Sequence, residues 1–177
     1  RYHGKPLPAL KSLDAPQRVI YAGTFSKALF PALRCAWLVV PVKQIAQFRH
    51  QASLAPCAVP VLWQNTLADF LREGHFWRHL KKMRQHYAQR RQWIEQALTQ
   101  QGFQVVPQKG GIQMVIRMIG DDIAHARKAN AAGLAVQALS DWRIRSSGEG
   151  GLLLSFTNIV NEGMARQVAQ QLRKALS

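Results

Sequence analysis

Between two short apolar runs, Arg18–Ala22 and Cys35–Pro41, lies a segment whose residue types and spacing suggest covalent chemistry. It reads Gly23-Thr24-Phe25-Ser26-Lys27, with Arg34 seven positions beyond the lysine. A lysine in a short loop between apolar strands is held near low dielectric, which disfavours its ammonium form. A second cation, Arg34, pushes in the same direction, and an uncharged amine is what Schiff-base chemistry requires. The hydroxyls of Thr24 and Ser26 and the planar fork of the Arg34 guanidinium suit the oxygens of a phosphate. Lys27, Thr24, Ser26 and Arg34 therefore read as an anchor for pyridoxal phosphate. The same residues also read as a solvated loop lysine and a charge at a strand edge, and spacing alone leaves both readings open.

The elements that must position this loop follow from periodicity. The runs "RVIYA" and "CAWLVVP" predict two short buried strands, typical of a sheet covered on both faces. Val42–Gln51 and Val61–Arg72 carry apolar residues at helical spacing, with Pro56 and Pro60 between them. From His75 to Gln100 runs one long helical pattern in which Phe76, Leu80, Met83, Tyr87, Ile94 and Leu98 form a buried stripe, and Gly102 ends it. Then "FQVV", "IQMVIRM", "GLAVQAL" and "GLLLSF" predict four strands. A helix over about 121–132 is capped by Asp121 or Asp122, and a final helix with Met164, Val168, Leu172 and Leu176 follows Asn161. Strands alternating with helices imply α/β or α+β layers.

Composition narrows the class. The 177 residues are 47% hydrophobic and 19% charged, enough for a packed core and unlike disorder or a charged coil. No run approaches the ~20 apolar residues of a membrane span, no signal-peptide pattern opens the chain, and Cys35 and Cys57 read as small buried apolar residues in a reducing cytoplasm. The start at Arg1, with no initiator Met, implies a chain that begins inside a larger protein.

The 24 Lys+Arg against 9 Asp+Glu leave +15, which raises a second function class: a basic nucleic-acid-associated module without cofactor. Its best segment is the run Arg72–Arg91, with Trp77, Tyr87 and Trp93 interleaved. Because those aromatics share a stripe with Leu80 and Met83, the cations read more simply as a solvated helix face. His75 and His79, at i and i+4, have metal-pair spacing but no third ligand. Gly148-Glu149-Gly150-Gly151 lacks the helix that a phosphate loop needs and reads as a turn.

The stretch "VIYAGTFSKALFPALR", with "RYHGKPLPAL" before it and "GHFWRHLKKMRQHYAQRRQWIEQAL", "KGGIQMVI" and "GLLLSFTNI" after it, resembles the aminotransferase-like domain of MocR-type regulators, a GntR subfamily related to fold-type I aminotransferases. The resemblance implies the C-terminal half of that pyridoxal-phosphate fold: residues 1–41 as the end of the large subdomain with the lysine loop, 42–101 as connecting helices, and 102–177 as the small α+β subdomain. It implies that Lys27 forms the Schiff base and that Arg34 binds the cofactor phosphate with Thr24 and Ser26 lining the same pocket. It also implies amino-group transfer or effector sensing on a small amino compound or amino acid, and a homodimer. DNA would be bound only through an N-terminal winged-helix domain absent here. The aspartate that pairs with the pyridine nitrogen in such domains, and a neighbouring tyrosine, would lie before the first residue. A large subdomain split this way is expected to leave strand edges and apolar surface uncovered.

Two departures stand out. Relatives often have Arg-x-Gly where this chain has Arg34-Cys35-Ala36. Many aminotransferases also place a substrate-carboxylate arginine in the strand that here reads Leu152-Leu153-Leu154. Arg143 or Arg145 stands nearby and reads equally as surface charge, so the α-carboxylate contact is unassigned.

Overall fold

The computed structural model describes residues 7–54, 59–144 and 148–177. Cys57 and Arg145 lie outside the described residues. The described chain divides into two compact units, one ending at Lys81 and the other beginning at Lys82.

In the first unit, β1 (Tyr21–Thr24) pairs antiparallel with β2 (Ala36–Val39), in the register Tyr21↔Val39 to Thr24↔Ala36. The chain reaches β1 through Asp14, whose carboxylate accepts from the Arg18 and Val19 N–H groups at 2.8 Å each and from Lys11 Nζ at 3.0 Å. Burial pushes its pKa up, but these donors outweigh burial and bring it down to about 2. Beyond β2 lie α1 (Ile45–Leu54) and α2 (Val61–Arg72), as the helical spacing predicts.

The buried, doubly covered sheet does not appear. The ladder has two strands, and Leu38 is 57% and Val39 45% exposed; every residue of β2 is exposed. The apolar run reports what such a strand is built to bury, and two strands with two helices do not supply enough cover among the described residues. Cys35, at the foot of β2, is buried as expected.

Helix α3 (His75–Gln100) has the bounds the pattern predicts, and Gly102 follows it in the left-handed region at φ +82°. Its first seven residues belong to the first unit and the rest to the second. Of the stripe, Ile94 and Leu98 are buried, and Phe76, Leu80, Met83 and Tyr87 are half-buried. Trp77 leaves the stripe and is 64% exposed, a correction to the sequence reading.

The second unit is a three-stranded antiparallel sheet ordered β3 (Gln113–Met118), β5 (Gly150–Ser155), β4 (Val136–Ala138). Register sets its core: Met114↔Leu154↔Val136 and Ile116↔Leu152↔Ala138 place six buried side chains on one face. Against them pack Ile94, Ala97 and Leu98 of α3, Ala126 and Ala129 of α4 (Asp122–Ala131), and Ala165, Ala169 and Leu172 of α5 (Glu162–Leu176). Asp121 caps α4, its Oδ1 accepting from Ile123 N and Ala124 N at 3.0 Å. Asn161 caps α5 through Met164 N at 2.8 Å.

Two predicted strands shrink. "FQVV" contributes a single bridge, Val105↔Ile116, because Pro107 follows and cannot donate to a ladder. "GLAVQAL" forms β4 over only three residues before the chain turns into a 3-10 segment at Leu139–Trp142. Among the described residues, no helix is long and apolar enough to cross a membrane.

Candidate functional site

The β1–β2 connection is a closed loop, pinned at its base where Phe25 N donates to the Cys35 carbonyl at 3.0 Å. Within it the chain first makes a tight turn over residues 25–29. The Phe25 carbonyl accepts from Ala28 N at 3.1 Å and Leu29 N at 2.8 Å, so Lys27 sits at the crest. Thr24 and Ser26 are brought together: Thr24 Oγ1 accepts from Ser26 N at 3.1 Å, lies 3.1 Å from Ser26 Oγ, and donates toward the Cys35 carbonyl at 3.3 Å. With the Thr24 proton on the Cys35 carbonyl, the Ser26 hydroxyl is the one left to donate to a ligand oxygen.

Lys27 and Arg34 are both exposed, and neither side chain makes a hydrogen bond or ion pair among the described residues. Lys27 is therefore not held in apolar surroundings, contrary to the expectation from its place between two apolar strands. Arg34 ends a 3-10 turn over Pro31–Leu33 in the left-handed conformation, φ 47° and ψ 34°. A side chain in that region costs about 1 kcal/mol relative to glycine, and Arg34 bears it at the loop's exit with no hydrogen-bond partner among the described residues. Replacing Arg34 with glycine is expected to raise stability by up to about 1 kcal/mol, read as a higher denaturation midpoint, while removing the only guanidinium of the loop. A lower midpoint would show that the arginine side chain packs usefully.

The loop rests on aromatic groups. Gly23 lies beneath Trp37, its cross-strand partner; a Cβ there would stand 2.3 Å from the indole. Phe25 meets Phe76 edge-on, ring centroids 5.7 Å apart. Below lies an apolar cavity of about 870 Å³, lined by Phe25, Cys35, Trp37, Leu67, Leu71 and Phe76 among others. Neither Lys27 nor Arg34 lines it.

The other candidates resolve separately. His75 and His79 do not form a pair: His75 Nε2 is 2.9 Å from Glu73 Oε2, and His79 Nε2 is 2.8 Å from the Ala28 carbonyl. The described residues contain no group of three or more metal-type side chains. The basic run is no uniform solvated face. Lys81, Lys82 and Arg84 are exposed, but Arg90 is half-buried and donates to the Thr157 carbonyl, and Arg91 is 7% exposed with its Nε 3.3 Å from Glu95. Arg143 donates to the Glu149 carbonyl. Leu152 and Leu154 are core residues, so β5 offers no cation to a carboxylate.

Sequence reasoning missed Asp122 as more than a cap candidate. It is 3% exposed, and its Oδ2 accepts from Gly151 N at 2.8 Å and Ser140 N at 3.2 Å. Burial pushes its pKa up; the Gly151 and Ser140 donors and the Arg143 charge outweigh that and leave it below the usual carboxylate value. Its only sequence signal was two adjacent aspartates at a helix start, one of which was surplus to the cap.

Residues 4–148 match the family "Aminotransferase class I and II". The chain belongs to that family. Over 99% of its length it is 35% identical to the probable rhizopine catabolism regulatory protein MocR of Rhizobium meliloti, and over its full length 29% identical to the pyridoxine biosynthesis transcriptional regulator PdxR of Corynebacterium glutamicum. Among solved structures, the Pyrococcus horikoshii kynurenine aminotransferase aligns over 99% of the chain with a TM-score of 0.85 at 25% identity, and LysN, the α-aminoadipate aminotransferase of Thermus thermophilus, with 0.82 at 25%. The fold is therefore that of fold-type I aminotransferases, and the resemblance to the aminotransferase-like part of MocR-type regulators is upheld. The reading as a basic nucleic-acid module without cofactor is not. The chain spans 36% and 39% of those two regulators and 45% and 46% of the two solved chains.

Proposed function

We propose that this aminotransferase-family chain carries the cofactor-attaching loop of a protein that binds pyridoxal phosphate through Lys27, Thr24, Ser26 and Arg34. The observation that carries the reading is the closed turn itself. The loop sets a primary amine at its crest, paired hydroxyls at its entry and a guanidinium at its exit, and the amine and guanidinium have no hydrogen-bond partner among the described residues. The donor set fits the group. Pyridoxal phosphate, when bound, supplies an aldehyde that condenses with a primary amine, releasing water, and a conjugated ring that withdraws electrons from the joined carbon. Lys27 presents the amine. Arg34 would pair with the dianionic phosphate, and the Ser26 hydroxyl would donate to one of its oxygens, with Thr24 lining the same pocket.

By likeness to the MocR and PdxR regulators, the function is amino-group transfer or sensing of a small amino compound within a transcriptional regulator. It is exercised in the cytoplasm as a homodimer, with DNA contacted by a separate winged-helix domain. In this reading residues 1–41 close the large subdomain, 42–101 connect, and 102–177 form the small one; the division at Lys81/Lys82 falls inside the connecting helices.

The phosphate assignment has its own test. In the full-length protein, Arg34→Ala is expected to weaken binding of pyridoxal phosphate by roughly 10- to 100-fold, corresponding to a charge-assisted contact of about 1.5–3 kcal/mol. Binding of pyridoxal, which lacks the phosphate, should scarcely change. Equal losses for both compounds would place Arg34 elsewhere than on the phosphate.

A further inference from the structure

The crest of the lysine loop is held from outside the loop at two points, both on the first two turns of α3. His79 Nε2 lies 2.8 Å from the Ala28 carbonyl, a contact that bridges 51 positions of sequence. A carbonyl only accepts, so Nε2 carries the proton, and a neutral or a charged ring makes the same bond. Phe76, three residues earlier and so on the same helix face, meets Phe25 edge-on. One contact lies two residues before Lys27 and the other one residue after it. Both side chains are half-buried, whereas Lys27 is exposed.

The start of α3 is itself braced. Arg78 Nη2 donates to the Glu73 carbonyl at 3.0 Å and lies 2.9 Å from His75 Nδ1, and His75 Nε2 lies 2.9 Å from Glu73 Oε2. Gly74, at φ +74°, makes the turn between α2 and α3 in the left-handed region. The brace fixes where residues 76 and 79 project. Within the loop itself, the crest is held by the two N–H groups donated to the Phe25 carbonyl and by Ser26 N donated to Thr24 Oγ1.

We propose that His79 is a positioning residue for Lys27: its Nε2–H holds the carbonyl of Ala28, the residue immediately after the lysine, and Phe76 seats the residue two before it, so that the amine is presented from a fixed backbone. This rests on the reading of Lys27 as the cofactor-attaching residue and adds to it two side chains that never touch the cofactor. The requirement at position 79 is a hydrogen-bond donor at imidazole Nε2 reach. A glutamine side-chain amide meets it and a leucine does not.

The test compares His79→Gln, His79→Leu and Phe76→Ala in the full-length protein, with two readouts. Without cofactor, deuterium uptake by the peptide covering residues 24–29 is expected to quicken roughly fivefold in His79→Leu and in Phe76→Ala, and to stay near wild type in His79→Gln. With pyridoxal phosphate added, covalent attachment at Lys27 is expected to weaken roughly tenfold or more in His79→Leu, with His79→Gln restoring it. Unchanged loop exchange in His79→Leu overturns the proposal. So does faster exchange with undiminished attachment, and so does a His79→Gln protein that behaves like His79→Leu. A wild-type protein that attaches no cofactor at Lys27 overturns the functional reading instead, while the exchange comparison still decides whether His79 holds the loop. A general loss of folding is separated by exchange in the α2 peptides of the same unit, which must match wild type.

Discussion

Phe156→Ala is expected to lower the free energy of unfolding by about 3–5 kcal/mol, the largest single effect in the chain. Phe156 is fully buried, with 0% exposure, and follows directly on β5 in the core of the second unit. Removing the ring forfeits its transfer free energy and leaves a cavity among Leu, Ile and Ala neighbours that are themselves in fixed registers and cannot collapse far. Against a total stability of about 5–15 kcal/mol, that loss leaves the unit marginal or unfolded at 37 °C. Chemical denaturation followed by near-ultraviolet circular dichroism checks it. A shift below about 1 kcal/mol would mean that the core is loosely packed.

The second large effect belongs to Asp122. One of its oxygens serves two backbone donors, Gly151 N at the buried start of β5 and Ser140 N in the turn after β4. Asp122→Ala leaves both donors without a partner and should cost about 2–3 kcal/mol. Asp122→Asn, which can put an amide oxygen in the same place, should cost about 1 kcal/mol.

The sign of the pH dependence follows from the direction of the shift. The folded-state pKa lies below that of the unfolded chain, about 3.9, so the folded protein binds fewer protons in between. The stabilisation is complete above that unfolded value and is lost as pH falls through the folded one. Asp14, at about 2, adds to the same acid window. Stability measured from pH 6 downward should therefore fall below about pH 4, and fall less steeply in Asp122→Asn. An unchanged slope would remove Asp122 from the acid response.

Much of this architecture is legible in the sequence because it is locally determined. The bounds of α3 follow from an uninterrupted helical stripe ended by Gly102, and α4 and α5 from Asp121 and Asn161, whose side chains meet the N–H groups two or three residues on. The lysine loop is legible too, since glycine, hydroxyls, lysine and arginine stand close together along the chain. What is not legible depends on distant partners. The apolar runs of β1 and β2 state a need for cover without stating what covers them. His79 finds the Ala28 carbonyl across 51 residues, which no spacing rule anticipates; its i,i+4 relation to His75 has metal-pair spacing without a third ligand and points to no partner. Trp77 fell on the expected aromatic stripe only by counting, and the helix rotates it outward. Asp122 looked like a second candidate for a cap that Asp121 already supplies.

The attachment of the cofactor at Lys27 is the claim on which the others depend, and residue-level mapping tests it most directly. The full-length protein is mixed with pyridoxal phosphate, reduced with borohydride, digested and read by tandem mass spectrometry. The expected result is one stable added mass, on Lys27, absent from Lys27→Ala. Added mass scattered over exposed lysines such as Lys43, Lys81 and Lys82, and undiminished in Lys27→Ala, would contradict it.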